Sequence, residues 1–590
     1  LNMGAVESLQ PMYYFINFDE WGINPNCENA EATTQGFNDA IQHAAKNGYY
    51  GVYIPGGRFL IDPVSKFGSL PEYGGGVRGA SNLKIKMSKT ARFYAMPNSA
   101  TGYSIFYFEL LENVELEGGF FMGDRDDHDY VYVEGKKTHE WGYCIHIRGC
   151  KNVTIEKATC THATGDNIWV AAKGMMNWNS DYTPSSSITI RKCVLERARR
   201  NNFATNGCEG LVFEDNDVNY AGGDTIGPQL GIDLEGFGEG GLKYDHPYKI
   251  IIKKNRFREN GRGAIRAFTA GEVIIDSNFA DNDISYGYGT DVSITNNKII
   301  RQPGQSSWAH GIDSIGVSST ETGNRANISG NTVIGFENGI TARGKGVKVN
   351  DNTVEGCTSQ GIYVYLCEMA LVTDNRINGD CVHIRVHLSK YVKVSDNDTE
   401  GSTQDYSIVL DAAIDTVVTD NKIKGFGGIR CGVTVDAEVS DNIIDLTGTG
   451  RGIMWKAHSE VDVIGNTIKN ARTYAIDGTA DSRYINTVED NRIKNCIGRT
   501  AILLTGGRKH SVINNKIRFK RNENGGYGVL LQNTDGVTVI RNDIDSMNEF
   551  TVTPVSSSAA TNTTIVHNTI RGEIWKSQTD DVRDNINLAV

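Results

Sequence analysis

The chain has 590 residues, 39% of them hydrophobic and 22% charged, with 66 Gly against 11 Pro, so it can bury a core and does not read as disordered. Its net charge of −12 comes without a basic block or arginine stripe, which leaves nucleic-acid binding unsupported, and no apolar run approaches the ~20 residues of a membrane span. The 11 cysteines are odd in number and scattered, several at strand positions (Cys144, Cys193, Cys208, Cys431), which fits reduced, buried thiols better than a disulfide framework and a chain made in a cytoplasm.

Leu1 opens a polar stretch that reads as no signal peptide and as the start of a trimmed piece. Thr33-Thr34 then precede an amphipathic run with Phe37, Ala40, Ile41 and Ala44 on one face, ended by Gly48. This predicts a helix over about 35–47, with Thr as N-cap and Gly as C-cap, covering the open end of an apolar stack. The strand GVYIPGG follows. We assign 1–60 to this cap, 61–575 to the main body and 576–590 to a tail.

The next signal is DRDDHD, from Asp124 to Asp129, followed by Glu140 and Trp141 in HEWG. It is expected to be a substrate-contacting loop, with His128 and Glu140 bordering the site. The alternative is a divalent cation near Asp124, Asp126 and Asp127. No cofactor or metal is otherwise expected, because no Cys/His set has zinc spacing and no P-loop or dinucleotide fingerprint is present.

Strands then line up on their first inward residues, Ile168, Phe203, Ile232 and Ile265, at intervals of 35, 29 and 33. These coils carry longer loops than those that follow, and binding residues collect on such loops. Before the first strand lies Gly165-Asp166-Asn167, and before the second Arg199-Arg200-Asn201-Asn202. In the third, Ile232 and Leu234 point in, so Asp233 and Glu235 point out, and in the fourth Arg266 sits above Asp233. Stacked strands lie about 4.8 Å apart, so these groups converge. We take Asp166, Asp233 and Glu235 as the acid/base group. Arg200 is the anion clamp, and Arg199, Arg266 and His128 stand nearby. Trp169, between inward Ile168 and Val170, suits a sugar face. Phe268, Trp141, Phe237, Tyr244 and Trp308 fall near the site by coil count.

From KIIIKKNRF onward a motif recurs: apolar, any, apolar, two polar, Asn, any, apolar. Its Asn residues run from Asn255, Asn278 and Asn297 through Asn331, Asn352, Asn375, Asn397, Asn421, Asn442, Asn466, Asn491, Asn515 and Asn542 to Asn568, mostly 21–27 residues apart. That is one turn of a three-strand coil. A second signal, Gly-apolar-any-apolar, as in GIDLE, GAIRAF, GIYVYL and GVLLQ, starts the next strand. The fold expected is all-β: a single-stranded right-handed parallel β-helix with an N-terminal capping helix. The Asn is expected to take left-handed backbone angles at a corner and to bond along a ladder. TVTPVSSSAATNTT reads as a turn or loop insertion before one last coil.

The order helix, VYIPGGRFLI, Asn-rich coils resembles the pectate-lyase-like β-helix superfamily over nearly the whole chain. The segment GDRDDHDY…THEWGYCIHIRG…GDNIWV…RARRNNFA…GIDLEG resembles the phage tailspike and pre-neck appendage depolymerases within it. The resemblance implies a virion appendage assembled as a homotrimer with other virion proteins, made in the host cytoplasm and acting on host cell-surface polymer, teichoic acid or polysaccharide. The carboxylates favour a hydrolase over a lyase, and the polygalacturonase-type relatives favour inversion. A non-enzymatic receptor-binding spike and a secreted pectinolytic enzyme are the other readings.

Overall fold

The computed structural model describes residues 12–64, 75–132, 134, 139–223, 226–236, 245–302, 310–315, 325–403, 406–520, 525–545 and 552–588. The chain divides into two compact units, Leu1–Trp308 and Ala309–Val590. Each is a right-handed parallel β-helix, and every described pair of named strands is parallel. One coil of the first unit runs through Trp141–Arg148, Lys151–Glu156 and Thr159–Thr161.

Period-2 alternation drives the packing. In Lys151–Glu156 the side chains of Val153 and Ile155 are buried while those between them face out. Register then sets like on like: Ile155 pairs with Ile190, Ile190 with Phe213, Phe213 with Ile252, Ile252 with Ile275 and Ile275 with Ile294. In the second unit a column of Val does the same from Val349 through Val372, Val394, Val418, Val439, Val463 and Val488 to Val512.

The motif Asn residues form the expected ladder. Asn421, for example, donates its backbone N–H and Nδ2 to Asn442 Oδ1 (3.0 and 2.9 Å), and its own Oδ1 accepts from Asn397. Its Nδ2 also reaches the carbonyls of Val394 and Thr419. The expectation about backbone angle is corrected, however. The left-handed residue is the one before each Asn: Lys254, Ser277, Asp351, Asp374, Asp420, Asp441 and Asp490 all have φ between 55° and 57° or within a few degrees of it. Asn itself is buried and faces inward. Along the ladder the inward place is used by an amide that both donates and accepts, and the strained angle falls to the exposed neighbour. Ala158 and Cys193 take the Asn place in earlier coils, after left-handed Lys157 and Lys192.

The capping helix spans Ala30–Lys46 and buries Phe37, Ala40, Ile41 and Ala44. Phe37 meets the rings of Phe59 and Phe93 at 4.9 and 5.6 Å. Thr33 and Thr34 are not its N-cap: they lie inside the helix, buried, and the start falls at Asn29. Their hydroxyls bond back to the carbonyls of Glu28 and Ala30, a local bond that lets Thr sit within a first turn. Strands also begin earlier than expected, since Tyr13–Phe15 pairs with Gly51–Ile54 inside the segment assigned to the cap.

At the other end, the segment read as an insertion forms the strand Val552–Thr561. Its run of small side chains packs in register on Gly526–Asp535, through two irregularities. The residues assigned to a tail hold the strands Asp581–Arg583 and Ile586–Asn587, and Asn585 ends the ladder below Asn568. Cys27 is half-buried and the other ten cysteines are buried, all as free thiols.

Candidate active site

The coil alignment read from the sequence matches the register of the first unit. Ile168 pairs with Phe203, Phe203 with Ile232 and Ile232 with Ile265, and the outward column beside them is Trp169, Ala204, Asp233 and Arg266. Against this column lies a groove of about 350 Å³ lined among others by Glu140, Trp141, Trp169, Arg200, Asp233 and Glu235. That volume suits a few sugar units.

Asp233 and Glu235 sit two residues apart at one strand end and differ sharply in exposure. Asp233 is 3% exposed, whereas Glu235 is exposed. Burial, and then the charge of Glu235, push the Asp233 carboxyl up to about 7 against the pull of Arg200. Near neutral pH one of the two neighbouring carboxyls therefore keeps its proton and the other faces the groove. Asn201 Nδ2 approaches Asp233 Oδ2 at 3.5 Å.

Asp166 does not line the groove. It is fully buried, and its carboxylate takes Arg200 Nη1 at 3.2 Å and the Asn201 N–H at 3.0 Å. Burial lifts its carboxyl to about 6 although Arg200 pulls it down. Asp233 keeps its expected outward place in register, yet its side chain, like that of Asp166, is buried rather than in water. Arg200 reaches over Asp166 into the groove, 3.6 Å from Glu140 Oε2 and 3.3 Å from the Gly227 carbonyl. Burial opposes its charge, but Asp166, Asp233 and Glu140 outweigh that and hold the guanidinium firmly protonated.

The remaining predicted residues divide. Trp169 lies half-buried in the groove wall, stacked on Tyr143 at 4.8 Å and on His146 at 4.7 Å. Arg266 stands beside Asp233 in register and reaches Ser285 Oγ at 3.4 Å. Arg199 turns away from the groove, with its guanidinium 4.3 Å from the centre of the Tyr130 ring. His128 is buried in a chain of its own: Nδ1 lies 2.8 Å from Asp124 Oδ2, Nε2 lies 2.9 Å from His139 Nδ1, and His139 Nε2 meets the Val131 carbonyl. Asp124 also accepts from the N–H and Nδ2 of Asn98. So Asp124 and His128 brace the loop that carries Glu140 and Trp141 and line no part of the groove. Asp126 faces Arg125 and His162 instead. Among the described residues no group of three His, Cys, Asp or Glu is placed to hold a metal ion. Phe268 packs edge-on against Tyr288, and Phe237, Tyr244 and Trp308 lie outside the described residues. Sequence reasoning missed Tyr143, His146 and Asn201. Asn201 stood beside a named arginine, and Tyr143 and His146 lay within the quoted segment THEWGYCIHIRG, but only the stacking of coils puts those two rings against Trp169.

The chain is 46% identical to the SPbeta prophage-derived uncharacterized protein YorA of Bacillus subtilis over 562 residues, 94% of this chain and 95% of that protein. It belongs to that family. A second Bacillus subtilis relative, YclG, is 33% identical over 77% of this chain and 74% of its own length. Family models described as "Periplasmic copper-binding protein (NosD)" and "Right handed beta helix region" match residues 310–487 and 451–573. Among solved structures, a mutant tailspike of the E. coli bacteriophage HK620, in complex with pentasaccharide, matches at 13% identity and a TM-score of 0.47, over 74% of this chain and 77% of that one. The A-module of the Azotobacter vinelandii mannuronan C-5 epimerase AlgE4 matches at 13% identity and a TM-score of 0.33, over 75% and 97%.

Proposed function

We propose that the protein is a phage-type appendage enzyme that binds a host cell-surface polymer, teichoic acid or polysaccharide, and cuts it by carboxylate acid/base hydrolysis. The observation that carries this reading is the pair Asp233 and Glu235 at one strand end, one carboxyl buried with its affinity for a proton raised to about 7, the other open to the same groove. The prophage origin named for the family relative supports the setting. In the mechanism, Arg200 holds an anionic group of the polymer, and the Trp169 face carries a sugar ring. Asp233 gives its proton to the leaving oxygen as that bond breaks. Glu235 takes a proton from the attacking water, whose oxygen forms the new bond, and the two carboxyls then exchange the proton back through solvent. Asp166 touches no substrate in this scheme; it positions Arg200.

The test is incubation with purified teichoic acid and with acidic polysaccharides, followed by sizing of the products. The wild type is expected to shorten one of them. D233N and E235Q are each expected to lose at least about 100-fold in turnover. A wild type that binds a polymer yet never shortens it would sink the enzyme reading and leave a receptor-binding spike.

A further inference from the structure

In the second unit the strands Asn338–Lys345, Gln360–Glu368, Val382–His387, Tyr406–Asp411 and Gly427–Gly432 stack in parallel. Three of them carry the same Gly-apolar-any-apolar signal as the coils of the groove, with His383 and Ser407 in the Gly place of the other two, but what they send outward differs. Tyr363, Arg385 and Arg430 share one outward column, and Tyr365 and His387 share the next.

The rings form a platform. Tyr363 and Tyr365 stack at 5.4 Å and 18°, and Tyr363 and His387 lie at 6.3 Å and 20°. Tyr363 Oη meets His387 Nδ1 at 2.9 Å. Burial and the adjoining Arg385 hold the His387 imidazole below its usual range, so it joins the platform uncharged at neutral pH. Guanidiniums lie over the rings, Arg343 5.0 Å from the Tyr365 centre and Arg385 5.9 Å from that of Tyr363, and His387 lies 5.4 Å from Tyr365, which leaves the remaining ring surface to a ligand.

The charge is unusual for this chain. On these five strands the fixed charges are Arg343, Lys345, Arg385 and Arg430 against Glu368 and Asp411, an excess of cations in a chain whose net charge is −12. One carboxylate serves two guanidiniums: Asp411 takes Arg385 at 2.9 Å and Arg430 at 3.3 Å. Glu368 is likewise shared, by Lys345 and by Lys390 of the next strand. The Arg385 and Arg430 side chains remain 32% and 26% exposed. They stand two coils apart, about 10 Å, along the stacking direction.

We propose that this face is a non-catalytic binding site for an acidic saccharide polymer, whose sugar faces lie on Tyr363 and Tyr365 and whose carboxylate or phosphate groups pair with Arg385 and Arg430. Aromatic faces accept sugar C–H surfaces, and guanidinium forks match both oxyanions. The cations concentrate on one face what the rest of an acidic surface repels. The site does not rest on the cleavage reading, because retention requires no turnover.

The experiment is affinity electrophoresis of the full chain in gels that contain polygalacturonate, a polyglycerol-phosphate teichoic acid, or neutral dextran. The wild type is expected to be retarded by one or both acidic polymers and not by dextran, with retardation falling as salt rises. R385Q/R430Q is expected to bind at least about 10-fold more weakly, the loss of about 1.4 kcal/mol. Y363A/Y365A should lose binding as well, and Y363F/Y365F, which keeps the rings, should retain it. R385Q/R430Q leaves every groove residue in place, so its loss of binding separates this site from the groove. A correctly folded R385Q/R430Q chain that binds as the wild type does, or a wild type retarded equally by dextran or by nothing, overturns the proposal.

Discussion

At the scale of residues, the groove turns on how deeply each carboxyl is buried. Asp233 folds from an ordinary carboxylate into one that titrates at about 7. Its folded-state affinity for protons is raised, so its favourable contribution to stability is fully present below the unfolded value near 4 and is lost as pH rises through about 7. Wild type should therefore lose about 2 kcal/mol more stability than D233N between about pH 5 and pH 7. Thermal unfolding of both proteins across that range checks it, and parallel curves would refute it. The same titration sets activity: with Asp233 as the acid, kcat/KM should fall as pH rises above about 7. Asp166 predicts a different signature. Since it holds Arg200 and touches no substrate, D166N should raise KM for an anionic polymer by about 10-fold and change kcat less, and a loss confined to kcat would place Asp166 in the chemistry after all.

At the scale of elements, the ladder corner is the unit of stability. Asn421 sits at the middle of a continuous run, where its side chain serves the Asn397 N–H, the Asn397 amide and two carbonyls at once. Asn421→Leu leaves those buried groups without partners, at about 1–3 kcal/mol each, so the expected loss exceeds about 3 kcal/mol in denaturant unfolding. The exposed residue before it is governed by strain instead. Its neighbour in kind, Val433, is β-branched with φ 52° and 54% exposed. Val433→Asn, which fits that conformation better, should stabilise by about 1 kcal/mol, and no change in melting temperature would count against the strain argument. The ladder was legible in the sequence because each Asn recurs within one local motif. The choice of which residue takes the left-handed angle was not, since Asn tolerates that angle as readily as Asp or Lys and the decision rests on which side chain the core can use.

At the scale of the whole molecule, each unit keeps its own stack of coils, and the outward face of that stack changes from carboxylates and tryptophan in the first to tyrosines and arginines in the second. The resemblance to phage appendages carries one further expectation, assembly as a homotrimer. Light scattering should give three times the chain mass of 64.6 kDa, and a monomer at high concentration would remove that part of the reading.

The sequence by itself determined the parallel β-helix, the coil alignment of Ile168, Phe203, Ile232 and Ile265, and the facing of Asp233 with Arg266, because period-2 alternation and a fixed repeat are local properties that stacking merely copies. It also marked Glu140, Arg200 and Glu235, which the groove brings together. Only the tertiary structure decided which of the polar residues stay in water. Asp166, His128 and Arg199 carried the same chemical signal as their neighbours, yet all three are buried away from the groove, Asp166 under Arg200, His128 between Asp124 and His139, and Arg199 against Tyr130. Burial is a sum over chain segments that no local pattern contains; here it takes in both Asp233 and Asp166, and the neighbouring charges, Glu235 beside the first and Arg200 on the second, set one apart to hold a proton near neutral pH and the other to anchor an arginine.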